Sequence, residues 1–221
     1  MEMPIFPLNL VLFPGMVLPL HIFEQRYRDL IVFCIEHNRP FGVVNSGSDD
    51  EDDPNALLNK VGTAARIIRL EELPDGRFNI AVVGTQRFRI EELDHRYTYL
   101  QATVSHYPVL HGSSEKSKEM AEWIHPRIME YVDILAKVTN SRLNLDNLPD
   151  DPNALAFLIA IALPIDDKDK QTLLELPTVP HIFAKEYYLL GREIMLMQYM
   201  SDTRFDLIEM TGGVTGYLFV N

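Results

Sequence analysis

Pro4, Pro7, Pro14 and Pro19 constrain what this chain can fold into more than any other feature. Each fixes its own φ, removes a backbone donor and pushes the residue before it into an extended conformation. The apolar stretch they interrupt, PIFPLNLVLFPGMVLPL, therefore reads as extended chain and tight loop, and a long helix is excluded there. From Phe23 the period changes. Phe23, Tyr27, Leu30, Ile31, Cys34 and Ile35 recur at three- and four-residue spacing, one helical stripe. Asn38-Arg39-Pro40 then predicts the end of that helix.

Strand signals follow. Phe41-Gly42-Val43-Val44 leads into the polar, acidic run SGSDDEDDPN, which reads as a solvated loop. Val61 to Leu70 and Arg77 to Ile90 flank Leu73-Pro74-Asp75-Gly76, whose proline and Asp-Gly pair suit a tight turn and predict a hairpin. Phe78, Ile80 and Val82 alternate with Arg77, Asn79 and Ala81, giving one buried and one wetter face. A further strand is expected within Tyr97 to Val109. His111-Gly112-Ser113-Ser114 breaks the pattern, and helices dominate after it. Met120, Ile124, Ile128, Tyr131, Leu135 and Val138 form a stripe over about 115–139, with Pro126 predicting a kink. Asp151-Pro152 caps a helix whose core, ALAFLIAIAL, is apolar all round and is expected at the centre of a bundle. Asp166-Asp167 caps a short helix ending at Leu176-Pro177, and Thr178 caps a last helix to about Met200. The expected division is residues 1–112 as a β-rich lobe, 113–200 as a helical lobe and 201–221 as a tail.

These segments carry a resemblance. FPL-x3-LFPG-x3-PL-x-IFE-x-RY, from Phe6 to Tyr27, is similar to the opening of the Lon N-terminal domain, the substrate-recruiting module of Lon proteases. Lys60-Val61-Gly62-Thr63-Ala64-Ala65-Arg66-Ile67 resembles the second block of that family. Leu73 to Ile80 with Gly84-Thr85-Gln86-Arg87-Phe88-Arg89-Ile90 resembles the third, and Lys170-Gln171-Thr172-Leu173-Leu174-Glu175 the late helical signature. The likeness spans roughly residues 3–200. Gln25 stands where the family usually has proline, and His181-Ile182 replaces a common Arg-Leu pair. The resemblance implies an α+β fold: a twisted, barrel-like PUA-like sheet lobe with one early helix, then a helical bundle. It also implies a module without catalysis or cofactor that binds polypeptide clients or a partner protein, such as a separate ATPase-protease. The recruiting module alone nearly uses up 221 residues, so a stand-alone substrate-binding domain is expected.

Other chemistries lack their signatures. Gly42 to Gly47 has the glycine spacing of a phosphate loop, but Ser48-Asp49 follows where lysine must meet phosphate. The formal charge of −12 opposes nucleic acid, whose affinity comes from Lys and Arg neutralising phosphates. RNA binding stays the alternative, through the PUA-like lobe and Arg66, Arg69, Arg77, Arg87 and Arg89, though solvated strand residues are the plainer reading. Glu122 and His125 have the Glu-x-x-His spacing of di-metal bundles, without a second copy on another helix, so no metal is expected. No G-x-S-x-G elbow occurs. A single cysteine, Cys34, excludes a disulfide framework within the chain and suits a reducing compartment. No basic leader and no run of about 18 apolar residues is present, so a cytoplasmic protein is expected.

The candidate binding residues are apolar. Leu10, Val11, Phe13 and Met16 lie in a proline-punctuated loop that is hard to bury, or they pack between helix and sheet. In the last helix, Phe183, Tyr187, Leu190, Ile194 and Met197 form one stripe, and Ile182, Leu189, Leu196 and Met200 a second, offset one. The second stripe is a wide core face, a seat for the apolar tail (Phe205, Leu207, Ile208 and Tyr217 to Val220), or a partner interface.

Overall fold

The computed structural model describes residues 1–47, 59–139 and 148–210, with only the backbone of 139 and 200–210. The acidic run from Ser48 onward and the tail side chains, Phe205, Leu207, Ile208 and Tyr217 to Val220, lie outside the described residues. The fold is α+β. Six strands, β1 (Glu2–Leu8), β2 (Val17–Ile22), β3 (Phe41–Asn45), β4 (Val61–Glu72), β5 (Phe78–Asp94) and β6 (Gln101–His106), form one sheet. Helix α1 (Gln25–Glu36) precedes β3; α2 (Glu115–Thr139), α3 (Pro152–Ala162), α4 (Asp167–Glu175) and α5 (Val179–Met210) follow β6.

The strand order is β2-β5-β4-β3-β1-β6, and β6 pairs again with β5. That second pairing closes a ring: one edge of the 17-residue β5 pairs with β4 from Phe78 to Arg89, while its other edge takes β2 over Phe78–Val83 and then β6 over Phe88–Asp94. The ring is too narrow for more than a few side chains. Met3, Ile5, Val44, Ala64, Phe88, Ala102 and Val104, drawn from all five ring strands, form its filling. Gly42 and Gly62 are dictated by that filling: a Cβ at either would come within 2.8 Å of the Phe88 ring. Outside the ring, Tyr27, Leu30, Ile31 and Cys34 of α1 pack with Phe6, Phe41, Phe78, Ile80 and Val82. Phe23 and Ile35, expected on the same stripe, are exposed: Phe23 precedes the helix, and Ile35 sits at the edge of its buried arc. Gln25 occupies the first helical position, where proline's missing N–H costs nothing. Here its side chain instead accepts from Arg28 (2.5 Å) and donates to Asp29 (2.7 Å).

In the helical lobe the caps are local and legible. Asp151 accepts from the Ala154 amide at 3.0 Å and Asp166 from the Asp169 amide at 2.7 Å. Pro126 is accommodated inside α2, which runs on to Thr139. Two expectations change. Helix α3 buries Pro152, Leu155, Ala156, Ile159 and Ala160 and leaves Leu158 exposed. The centre belongs instead to α5, whose Ile182, Phe183, Leu189, Leu190 and Ile194 are buried among α2, α3 and α4. And α5 does not stop near Met200; its backbone stays helical through Met210, so residues 201–210 prolong the helix and cannot fold back over it.

Candidate functional site

The loop between β1 and β2 forms a seam between the two lobes. Leu12 turns into the α1–sheet core, while Val11 and Phe13 join the helical core, with Phe13 6.2 Å from the Phe157 ring of α3. The loop is clamped to β5: Gly15 donates to the Gly84 carbonyl (2.8 Å), and the Gly84 amide donates to Met16 (2.9 Å). A Cβ on Gly84 would lie 2.2 Å from the Phe13 carbonyl oxygen, so glycine is required by this close approach.

Arg87 is the second part of the seam. It is 2 % exposed, and its Nη1 donates to the carbonyls of Leu174 and Leu176 where α4 ends, while Tyr107 lies against the guanidinium. Burial pulls its pKa down to about 10. Gln171 reaches back from α4 to the Val61 carbonyl (3.0 Å), and the Tyr107 hydroxyl donates to the Glu175 carbonyl (2.9 Å). One cation thus holds two carbonyls that α4 leaves open, as a basic residue at a helix C-terminus does.

The candidate residues therefore separate. Val11, Phe13, Ile182 and Leu189 are core side chains, each at most 3 % exposed. Leu10 and Met16 are half-buried, Leu196 is 51 % exposed, and the Met200 side chain lies outside the described residues. Sequence reasoning missed the apolar face that α5 does expose. Tyr188, Met195 and Tyr199, 65 to 71 % exposed, stand at spacings of seven and four on one side of the helix. Trp123 of α2, half exposed, stacks on Tyr187 with ring centroids 3.9 Å apart. The strand arginines divide too. Arg87 is sealed, Arg77 pairs with Asp75 at 2.7 Å, and Arg66, Arg69 and Arg89 are exposed.

Among the described residues no group of three or more His, Cys, Asp or Glu side chains is arranged to hold a metal; Glu122 and His125 are both exposed on α2. Burial pushes the Cys34 thiol up to about 12 against the pull of Arg39, which leaves it unreactive near neutrality. No described helix is long and apolar enough to cross a membrane.

The family model of the ATP-dependent protease La (LON) substrate-binding domain matches residues 2–192. The chain belongs to the Lon substrate-binding domain family. Among curated proteins, Lon protease 2 of Myxococcus xanthus is 33 % identical over 177 residues, covering 78 % of this chain and 21 % of its own length. Lon protease of Escherichia coli K12 is 29 % identical over 203 residues, covering 89 % of this chain and 25 % of its own length. The chain thus spans about a quarter of the Lon proteases it matches. The fold is that of solved Lon N-terminal domains. The Lon N-terminal domain protein of Xanthomonas campestris superposes with a TM-score of 0.58 at 20 % identity, covering 84 % of this chain and 96 % of that one. The N-terminal domain of Mycobacterium avium complex Lon protease gives 0.59 at 18 %, covering 86 % and 98 %. Within this Lon-family frame, the blocks around Phe6–Tyr27 and Gly84–Ile90 are seen to meet: the first supplies the seam loop, and the second the glycine and arginine that fasten it.

Proposed function

We propose that this Lon-family domain recruits polypeptide segments without catalysing a reaction and presents them, as a cytoplasmic adaptor, to an ATPase-protease. The observation that carries this reading is the match of a substrate-binding family model to nearly the whole chain. The exposed apolar side of α5 supports it, since contiguous exposed apolar surface marks binding. Of the strand arginines named for RNA binding, Arg87 is spent on backbone carbonyls and Arg77 on Asp75, which leaves the polypeptide reading the better supported.

The test has two steps. A fluorescently labelled, chemically unfolded model protein is titrated with the chain, beside the same protein in its native form. Selective binding of the unfolded form is expected. No binding of either form up to about millimolar concentration ends the recruiting reading. Degradation of that bound protein by a Lon protease, with and without the chain, then tests the adaptor role, and an unchanged rate removes it.

A further inference from the structure

Strand β4 outruns its partner β3. Pairing between them covers only Thr63 to Ala65, while β4 stays paired with β5 as far as Glu72. From Arg66 onward one edge of β4 therefore faces no strand among the described residues, and an open edge presents unpaired N–H and C=O groups at every second residue. Proline and lysine are two of the usual guards of such an edge, with other charges and bulges the rest, and between Arg66 and Leu70 neither proline nor lysine occurs. Instead a bulge interrupts the register: Ile67 faces Val82 and Arg69 faces Ala81, which leaves Ile68 as the extra residue.

The edge borders a groove of about 320 Å³, whose opposite wall is the C-terminal end of α1 and the turn after it, from Cys34 to Pro40. Its floor is apolar, with Cys34 buried and Ile67 half-buried in the α1–sheet core. Ile35, Ile68 and Leu70 add exposed apolar surface, at 43, 55 and 43 % exposure. The rim is cationic: Arg39, Arg66 and Arg69 all line the groove and all are exposed. Among the described residues neither Arg66 nor Arg69 forms an ion pair. Three guanidinium groups at one groove oppose the overall charge of −12.

We propose that this groove takes an extended polypeptide segment by strand addition to β4, and that the segment alternates acidic with apolar side chains. The proposal rests on the polypeptide-recruiting reading and gives it a site and a ligand class. Backbone groups of the guest complete the ladder where β3 stops, which is independent of guest sequence. Period-two alternation then sends apolar side chains to the floor and carboxylates to the rim, where arginine meets carboxylate in a two-point geometry. A strand of three or four residues, about 10 to 13 Å long, matches the Arg66–Leu70 edge.

The experiment uses the full chain and three peptides: glutamate alternating with valine, and the same peptide with glutamine or with lysine for glutamate. A poly-uridine RNA oligomer is the fourth probe. Affinity is measured by fluorescence anisotropy, and backbone hydrogen exchange locates the contact. The glutamate peptide is expected to bind tightest and to slow exchange across residues 66–70. Arg66→Glu with Arg69→Glu is expected to weaken it about tenfold while strengthening the lysine peptide. Both positions are exposed, and an unchanged melting temperature verifies folding. Peptide binding with protection elsewhere, indifferent to the charge reversal, overturns this site and leaves recruitment standing. RNA binding lost on charge reversal, with no peptide bound, overturns the polypeptide occupant. If the unfolded model protein also fails to bind, the recruiting reading falls with it.

Discussion

Arg87 and the pair Arg66 and Arg69 stand on neighbouring strands of one sheet and have opposite surroundings. Arg87 is sealed beneath Tyr107, with two helix-end carbonyls accepting hydrogen bonds from its Nη1. Arg66 and Arg69 line an open groove beside a strand edge that has no partner among the described residues. The same residue type is a fastener in one place and a recognition element in the other. What differs is whether another part of the chain has already supplied the acceptor. Two carboxylates repeat the contrast. Glu186 of α5 is fully buried with neither oxygen hydrogen-bonded among the described residues, whereas Asp169 of α4 meets Lys185 at 3.0 Å and Arg192 at 2.9 Å.

The largest effect is expected from breaking the sealed arginine. Arg87→Met keeps an unbranched side chain but removes the guanidinium, which leaves the Leu174 and Leu176 carbonyls without their shared donor and Tyr107 without its cation. Losing charge-assisted bonds in a buried site costs about 3 kcal/mol, read as a lower urea midpoint. A loss below about 0.5 kcal/mol would show that the seam is held by packing alone, through Phe13 and Val11.

How much of this was readable beforehand follows the range of the interactions. The Leu73–Gly76 turn, the Asp151 and Asp166 caps and the alternation in β5 are settled by neighbours a few residues away, and the chain carries their signals plainly. Ring closure was expected from the resemblance, since no spacing announces that β5 is shared by both ends of the sheet. The burial of Phe13 depends on Phe157, and that of Arg87 on Leu174 and Leu176, partners that periodicity cannot register. Periodicity also misplaced the centre of the bundle. ALAFLIAIAL is the most apolar run, yet α3 is an outer helix and α5, with its polar residues, is the inner one. The open edge of β4 was invisible for a related reason: it arises from the unequal lengths of β3 and β4, set by where the turn after α1 lets β3 begin.

Among the carboxylates the sealed one should respond more. Burial raises the Glu186 pKa well above its ordinary value. A raised folded-state value means the folded chain holds a proton that the unfolded chain releases above about pH 4.3, so stability falls as pH rises from there. Glu186→Met removes that penalty. It is expected to stabilise the protein by about 2 kcal/mol at pH 7 and to flatten the pH dependence of the urea midpoint. Burial also raises Asp169, but Lys185 and Arg192 outweigh it and hold the carboxyl below its usual range. The sign is therefore reversed: its contribution is present above the unfolded value, about pH 3.9, and lost as pH falls through the lower folded one. Asp169→Asn should cost about 1 kcal/mol at neutral pH, and the gap from the parent should close in acid.

The smallest effect on stability is expected where the effect on binding is greatest. Among the described residues Arg66 and Arg69 touch no acceptor that folding needs, so reversing both charges should move the urea midpoint by less than about 0.5 kcal/mol equivalent. Reversal also brings glutamates toward Glu71 and Glu72 on the same strand, a repulsion that water and salt screen at an exposed edge. A loss comparable to that of Arg87→Met would mean that these arginines, too, are fasteners, and the contrast between sealed and open sites would collapse. A neutral result separates stability from recognition within one sheet: β5 carries the arginine that holds the lobes together, and β4 carries the two left free for a guest strand.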